Sequence, residues 1–193
     1  RESMLFDAGW PGFGGRDADR IAAIAKLAGL RQIDYLVVTH YHRDHVGGVA
    51  PLAERLPIRT FVDHGPSIER ERQAEELFAT YQRVREKATH IVARTGDRIP
   101  IGGIDVQVLS SAGEEISAPL PGAGAPNPLC AAAPPRETDL SENAQSVGVL
   151  ITFGKFRMLN LADLTWNKEL ELVCPTNKVG TVDVYLSTHH AMN

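Results

Sequence analysis

Residues 36–48 read Leu-Val-Val-Thr-His-Tyr-His-Arg-Asp-His-Val-Gly-Gly. The apolar run Tyr35-Leu36-Val37-Val38 ends there, and His40, His42, Asp44 and His45 follow within six positions. The run predicts a buried strand, after which Thr39 begins a loop whose alternate residues face one way. His40 and His42 are then placed to converge on one cation. Asp44 and His45, being adjacent, diverge from that pair and are placed to reach a second cation, as in paired-metal hydrolytic sites. Val46-Gly47-Gly48-Val49 opens a helix, its glycines permitting close backbone approach. The bland alternative is a His-rich surface turn. Imidazoles clustered with a carboxylate at a strand end are unusual without a metal, so the stretch points to metal-dependent hydrolysis.

The pattern His40-x-His42-x-Asp44-His45 after an apolar strand resembles the signature of the metallo-β-lactamase superfamily. That resemblance implies an α/β fold, an αββα sandwich, with one or two metals at the sheet edge. Asp7-x-Gly9 matches the superfamily's first motif, whose Asp usually braces the His loop rather than ligating. A simple turn Asp is the alternative, since Asp-x-Gly is common at strand ends.

With 193 residues the chain is long enough for one domain with a core and too short for two comfortable ones, so a single domain over 1–193 is expected. Its 20 Lys+Arg against 24 Asp+Glu give a net charge of −4, which offers no general attraction to nucleic acid. A local attraction is still open, because bound cations dominate the field of their own site. No apolar stretch approaches membrane-spanning length and no signal peptide is visible. The abrupt start at Arg1-Glu2-Ser3 and the stop at Asn193 predict a piece of a longer chain, a sandwich truncated at one or both ends. Cys130 and Cys174 form no CxxC pair and are read first as unrelated thiols, then as a disulfide in an oxidising compartment, and last as zinc ligands.

Along the chain, Ser3–Phe6 predicts a short strand and Asp17 a helix cap, with the helix running to about Ala28 before Gly29. Ile33–Val38 is the next strand, Val49–Leu56 a helix ended by Pro57, and Ile58–Val62 a strand. This alternation favours an α/β sheet. Ser67–Lys87 predicts a long helix whose interleaved Arg and Glu read as a solvated face. His90–Ala93, Arg98–Pro100 and Ile104–Leu109 suggest an antiparallel element. Residues 114–139 hold half of the twelve prolines and predict an irregular Pro/Ala/Gly-rich loop, either an exposed connection or a lid beside the site. Ser146–Phe153 and Phe156–Leu161 predict a hairpin turning on Gly154-Lys155 and delivering Asp163 to a strand end. Thr165 caps a helix over Trp166–Val173, and Val182–Leu186 is the last strand, ending in Ser187-Thr188-His189-His190.

Three strand ends thus carry candidate ligands: residues 40–45, Asp163, and the His189-His190 pair. A sheet collects residues from separate strand ends into one crevice, so a composite centre is expected. In it His40 and His42 bind one cation, and Asp44, His45 and His189 or His190 bind the other. Asp163 bridges the two, and Asp44 also orients the attacking water. Read alone, Asp163 is a helix N-terminal acid and His189 a surface histidine. His64 and His90 are weaker candidates, His64 reading better as a turn residue.

Asn143-Ala144-Gln145-Ser146, Leu161-Ala162-Asp163 and Ser187-Thr188-His189-His190 together resemble, more narrowly, the extracytoplasmic metallo-β-lactamase-like domain of ComEC-type competence proteins. That family tends to show Asn-x-x-Ser, Thr-Gly-Asp and His-His-Gly-Ser. Ala162 stands where its Gly is usual, Ala191-Met192 replace its Gly-Ser, and Asn143 and Ser146 occupy the region where many superfamily hydrolases carry a third His. The resemblance implies a hydrolase using a metal-bound hydroxide, with Zn2+ (one or two ions) or Mn2+, acting on phosphodiesters of nucleic acid outside the cytoplasm. The alternatives are a β-lactamase or lactonase acting on a small-molecule amide or ester, and a degenerate non-catalytic binding domain. Oligomeric state is not legible.

Overall fold

The computed structural model describes residues 2–134 and 136–191. Arg1, Pro135, Met192 and Asn193 lie outside the described residues, and with them one proline of the 114–139 loop and the second residue of the Ala191-Met192 departure. The chain divides into two compact units, Arg1–Ala93 and Arg94–Asn193, each built on its own sheet. This mixed α/β, two-sheet architecture is the fold class that the sequence predicts.

The first unit runs β1 (Met4–Phe6), α1 (Arg16–Leu27), β2 (Ile33–Val37), α2 (Arg43–Val46), α3 (Val49–Ala53), β3 (Ile58–Asp63), α4 (Arg72–Arg85) and β4 (Thr89–Val92). Its strands lie in the order β1-β2-β3-β4 and every pair is parallel. Parallel neighbours need crossover connections, and the helices supply them. Every residue of β2 is buried, as its unbroken apolar run requires of a central parallel strand. Leu36, Val38, Tyr41, Leu52, Phe61 and Tyr81 build the core with Ala18 and Ala25 of α1. Because the strands share a direction, the segments after β1, β2 and β3 all leave from one edge of this sheet.

Several boundaries differ from the sequence reading. α1 follows Gly15, whose φ is 84°, with no side-chain cap; Asp17 sits inside the first turn, where its carboxylate accepts the Trp10 N–H at 3.0 Å. Helix forms at Arg43, before the glycines, so Asp44 and His45 are helical. α4 begins five residues after Ser67, because the Ser67 hydroxyl accepts the Glu69 N–H at 3.1 Å and offers the backbone a local alternative to helix. β4 joins β3 in parallel, since α4 returns the chain to the same end of the sheet, while the expected antiparallel pairing forms between residues 97–99 and 106–108, with Arg98 opposite Gln107.

The second unit holds β5 (Asp105–Ser111), β6 (Glu114–Glu115), β7 (Gly148–Phe153), β8 (Phe156–Asn160), α5 (Trp166–Val173) and β9 (Val184–Leu186). The order is β6-β5-β7-β8-β9, antiparallel except for β8 with β9. β7 and β8 form the expected hairpin on Gly154-Lys155. Thr165 precedes α5, but its hydroxyl donates to the Asp139 carbonyl at 3.4 Å instead of capping.

The Pro-rich segment is more ordered than its composition predicts. Ile116 and Leu120 are buried in the core with Leu109, Leu150 and Leu172. Beyond them the chain pairs with residues 175–178: the Leu120 N–H donates to the Lys178 carbonyl at 2.8 Å, Gly124 to Asn177 at 2.8 Å, and Asn127 to Pro175 at 2.9 Å. That pairing brings Cys130 beside Cys174, and the two form a disulfide rather than remaining unrelated thiols. Among the described residues, no helix is long and apolar enough to cross a membrane.

Candidate metal centre

In the first unit the ligand candidates gather after β2. His40 is fully buried; its Nε2 lies 3.1 Å from His42 Nδ1 and its Nδ1 lies 3.2 Å from the Thr39 hydroxyl. The His45 ring stands 4.1 Å from the His40 ring, centre to centre, so His45 does not diverge from the pair as adjacency to Asp44 suggested. The first turn of α2 is the reason. The His45 and Val46 N–H groups both donate to the His42 carbonyl at 3.0 Å, curling the chain back on itself. Asp44 Oδ2 lies 3.5 Å from His45 Nε2.

Asp7, just past β1, ties this loop together. Its Oδ1 accepts the Thr39 N–H at 2.8 Å, and its Oδ2 accepts the Thr39 hydroxyl and faces His45 Nδ1, both at 2.8 Å. The two backbones also meet: the Ala8 N–H donates to the His45 carbonyl at 2.8 Å, and Gly48 N–H to the Gly9 carbonyl at 2.7 Å. Gly48 has to be glycine there, because a Cβ would fall 1.9 Å from the Ala8 carbonyl oxygen.

The residues present fit a cation. Each imidazole has one nitrogen facing an oxygen: His40 Nδ1 faces Thr39, His45 Nδ1 faces Asp7, and His42 Nε2 stands 3.6 Å from Glu69. Such outer partners fix tautomer and ring orientation in metal-ligating histidines. Nitrogens bound tetrahedrally at about 2.0–2.1 Å stand about 3.4 Å apart, close to the 3.1 Å between His40 and His42. An imidazole-rich donor set suits zinc, with manganese second.

In the second unit Asp163 is buried in the turn after β8, and His190 Nε2 lies 3.4 Å from its Oδ2. His189 donates its N–H to the Ala162 carbonyl at 3.1 Å, and its Nε2 lies 3.4 Å from Asn143 Nδ2. Ser146 is buried close by in sequence, and neither its hydroxyl nor Asn143 Oδ1 has a hydrogen-bond partner among the described residues. Glu169 of α5 holds the approach to the His pair, accepting the Thr188 hydroxyl at 2.7 Å and the Tyr185 hydroxyl at 2.5 Å. Burial and the Glu169 carboxylate push the Tyr185 phenol up to about 12.

The weaker histidine candidates have other partners. His64 is buried and its ring packs against Tyr41 at 4.4 Å; His90 Nε2 lies 3.0 Å from the buried Asp63 carboxylate. Sequence reasoning missed Thr39, Glu69 and Glu169. Thr39 adjoins His40 and was legible as a loop residue only. The two glutamates sit in charged helical or pre-helical runs with no feature to distinguish them.

An αβ sheet with a histidine loop at its carboxyl edge defines a metallohydrolase-like scaffold, and comparison with known proteins gives it a family. The chain belongs to the metallo-beta-lactamase superfamily, whose family model matches residues 1–131. It is similar to the hydroxyacylglutathione hydrolase of Idiomarina loihiensis, 30% identical over 86 residues, which is 45% of this chain and 27% of that protein. The enzyme of the same name from Yersinia enterocolitica is 33% identical over 94 residues, 47% of this chain and 31% of that protein. The chain therefore spans under a third of the length of these curated relatives. Among solved structures, a mutant of the HARLDQ-motif metallo-beta-lactamase of Cronobacter sakazakii aligns with TM-score 0.53 at 14% identity, over 95% of this chain and 66% of that one. These relatives are not competence proteins, so the narrower ComEC-type affinity rests on the sequence resemblance alone.

Proposed function

We propose that this chain is a metal-dependent hydrolase unit. The observation that carries the reading is the cluster of His40, His42 and His45, in which His40 and His45 are oriented by Thr39 and Asp7 and His42 lies 3.6 Å from Glu69. In this proposal these histidines and Asp44 hold one or two divalent cations, zinc first, together with Asp163 and His189 or His190, which the sequence also places at strand ends. A bound divalent cation lowers the pKa of water toward neutrality and polarises the bond to be cleaved. Asp7 accepts the His45 Nδ1–H, which leaves Nε2 as the unprotonated nitrogen for a cation. Asp44 would also orient the attacking water. Asn143 and Ser146, both buried, would support the His189 turn from behind rather than touch the substrate.

The proposed bond is a phosphodiester, supported by the resemblance of Asn143-x-x-Ser146, Asp163 and the His189-His190 pair to the competence-type domain. A second reading, hydrolysis of a thioester or ester carbonyl, is supported by the hydroxyacylglutathione hydrolases that match the chain. One assay series separates them. The zinc- and manganese-loaded protein is given single- and double-stranded DNA, a bis-aryl phosphodiester, a hydroxyacylglutathione, nitrocefin and a homoserine lactone. Turnover of the phosphodiesters that is lost in Asp44→Asn supports the first reading, and turnover confined to the carbonyl substrates replaces it with the second. Less than one bound metal per chain after zinc loading would make this a non-catalytic binding domain.

A further inference from the structure

We propose that Asp63 is a positioning residue for the histidine loop, acting through Gly65 and Tyr41 on the His40–His42 pair. The inference rests on the reading of residues 40–45 as a metal loop, and it concerns how tightly that loop holds its cation.

Asp63 ends β3 with no exposed surface. A buried carboxylate is tolerated only when donors surround it, and this one has four. Its Oδ2 accepts the Tyr81 hydroxyl at 2.6 Å and Arg85 Nη1 at 2.7 Å; its Oδ1 accepts the Gly65 N–H at 2.9 Å and faces His90 Nε2 at 3.0 Å. Burial works against ionisation, but the hydrogen bonds from Tyr81, His90 and Arg85 prevail and hold the carboxyl below its usual range. Asp63 is thus a fixed anion tied to α4 and β4.

What this anion fixes is the turn at residues 63–65. Gly65 donates its N–H to Asp63, and its carbonyl accepts the Tyr41 hydroxyl at 2.5 Å. Tyr41 lies between His40 and His42, almost fully buried, with its ring 4.4 Å from His64, 4.5 Å from Phe78 and 5.5 Å from Tyr81. Because Tyr41 lies between the two histidines in the chain, anchoring its side chain restricts the backbone that presents both imidazoles. The chain Asp63–Gly65–Tyr41 is therefore a second brace on the loop besides Asp7, which grips Thr39 and His45. Outer partners of metal ligands commonly change metal affinity 10–100-fold when removed.

The test uses the full chain and zinc alone, with affinity measured by competition against a chromogenic chelator and cobalt(II) substituted for its visible spectrum. Tyr41→Phe deletes only the hydroxyl. The expected result is a loss of zinc affinity of about ten-fold and altered cobalt bands, while thermal unfolding of the metal-free protein stays near that of the parent. Tyr81→Phe, which removes one of the four donors to Asp63 and keeps the ring, is expected to weaken zinc by a few-fold and gives a second reading should Tyr41→Phe fail to fold. Parental zinc affinity and cobalt spectrum in both variants would overturn the positioning role. A parent chain that binds no zinc would instead overturn the metal reading itself, before any variant is compared.

Discussion

Single residues show where the sequence was informative and where it was silent. The candidate ligands were legible because several imidazoles clustered with a carboxylate are unusual without a metal. Their outer partners were not, because a Glu or Thr that orients a histidine carries no mark in one sequence. Ala162 is a third kind of case. It occupies the place where the ComEC-type pattern has Gly, and its φ is 52°; Ala191, which also replaces a Gly of that pattern, has φ 62°. The left-handed conformation is retained although the Cβ makes it unfavourable by roughly 1–2 kcal/mol. Part of that is recovered in the unfolded chain, where Gly loses more entropy on folding, about 0.4–1 kcal/mol. Ala162→Gly is therefore expected to stabilise the protein by up to about 1 kcal/mol, read as a higher urea midpoint with an unchanged slope. An equal or lower midpoint would show that Ala162 is not strained there.

At the scale of elements, hydrophobic periodicity located nearly every strand and helix, whereas the ends depended on local competition. Asp17 looked like a cap and instead pins the Trp10 backbone; Ser67 looked helical and turns onto Glu69. The contact between β6 and α5 was not legible at all, since it joins residues far apart in sequence. There Glu115 Oε2 lies 3.3 Å from Lys168 Nζ, and Lys168 lies 3.2 Å from Glu171. Burial, then sharing of a proton with Glu171, raises the Glu115 carboxyl to about 8 from 4.5, against the pull of Lys168. Between those two values the folded state holds a proton that the unfolded state has released. Stability from this group is complete below the unfolded value and is lost as pH rises toward the folded one. Glu115→Gln mimics the protonated form. Its thermal midpoint should fall less than the parent's between pH 5 and pH 9, in melts run at matched ionic strength, and parallel curves would refute the assignment.

For the whole molecule, thirteen consecutive residues were enough to indicate the superfamily that the family model confirms over residues 1–131. They did not indicate the substrate, because the same ligand loop serves any bond that a metal-activated water can attack. The disulfide was misread for a different physical reason: a pairing 44 residues apart depends on how the Pro-rich segment folds, and composition made that segment look unstructured. Once the segment pairs with residues 175–178, the thiols meet, and the cross-link closes a loop whose unfolded-state entropy it removes. For a loop of that length the chain-entropy model gives about 4 kcal/mol, with typical measured values of about 2–4 kcal/mol. Such bonds persist in oxidising compartments. The protein exported to an oxidising compartment should therefore show no free thiol by mass spectrometry under non-reducing conditions. The paired Cys130→Ser and Cys174→Ser variant, or the reduced parent, should unfold with about 2–4 kcal/mol less stability. Two free thiols in the exported protein, or equal stability with and without reductant, would refute the cross-link.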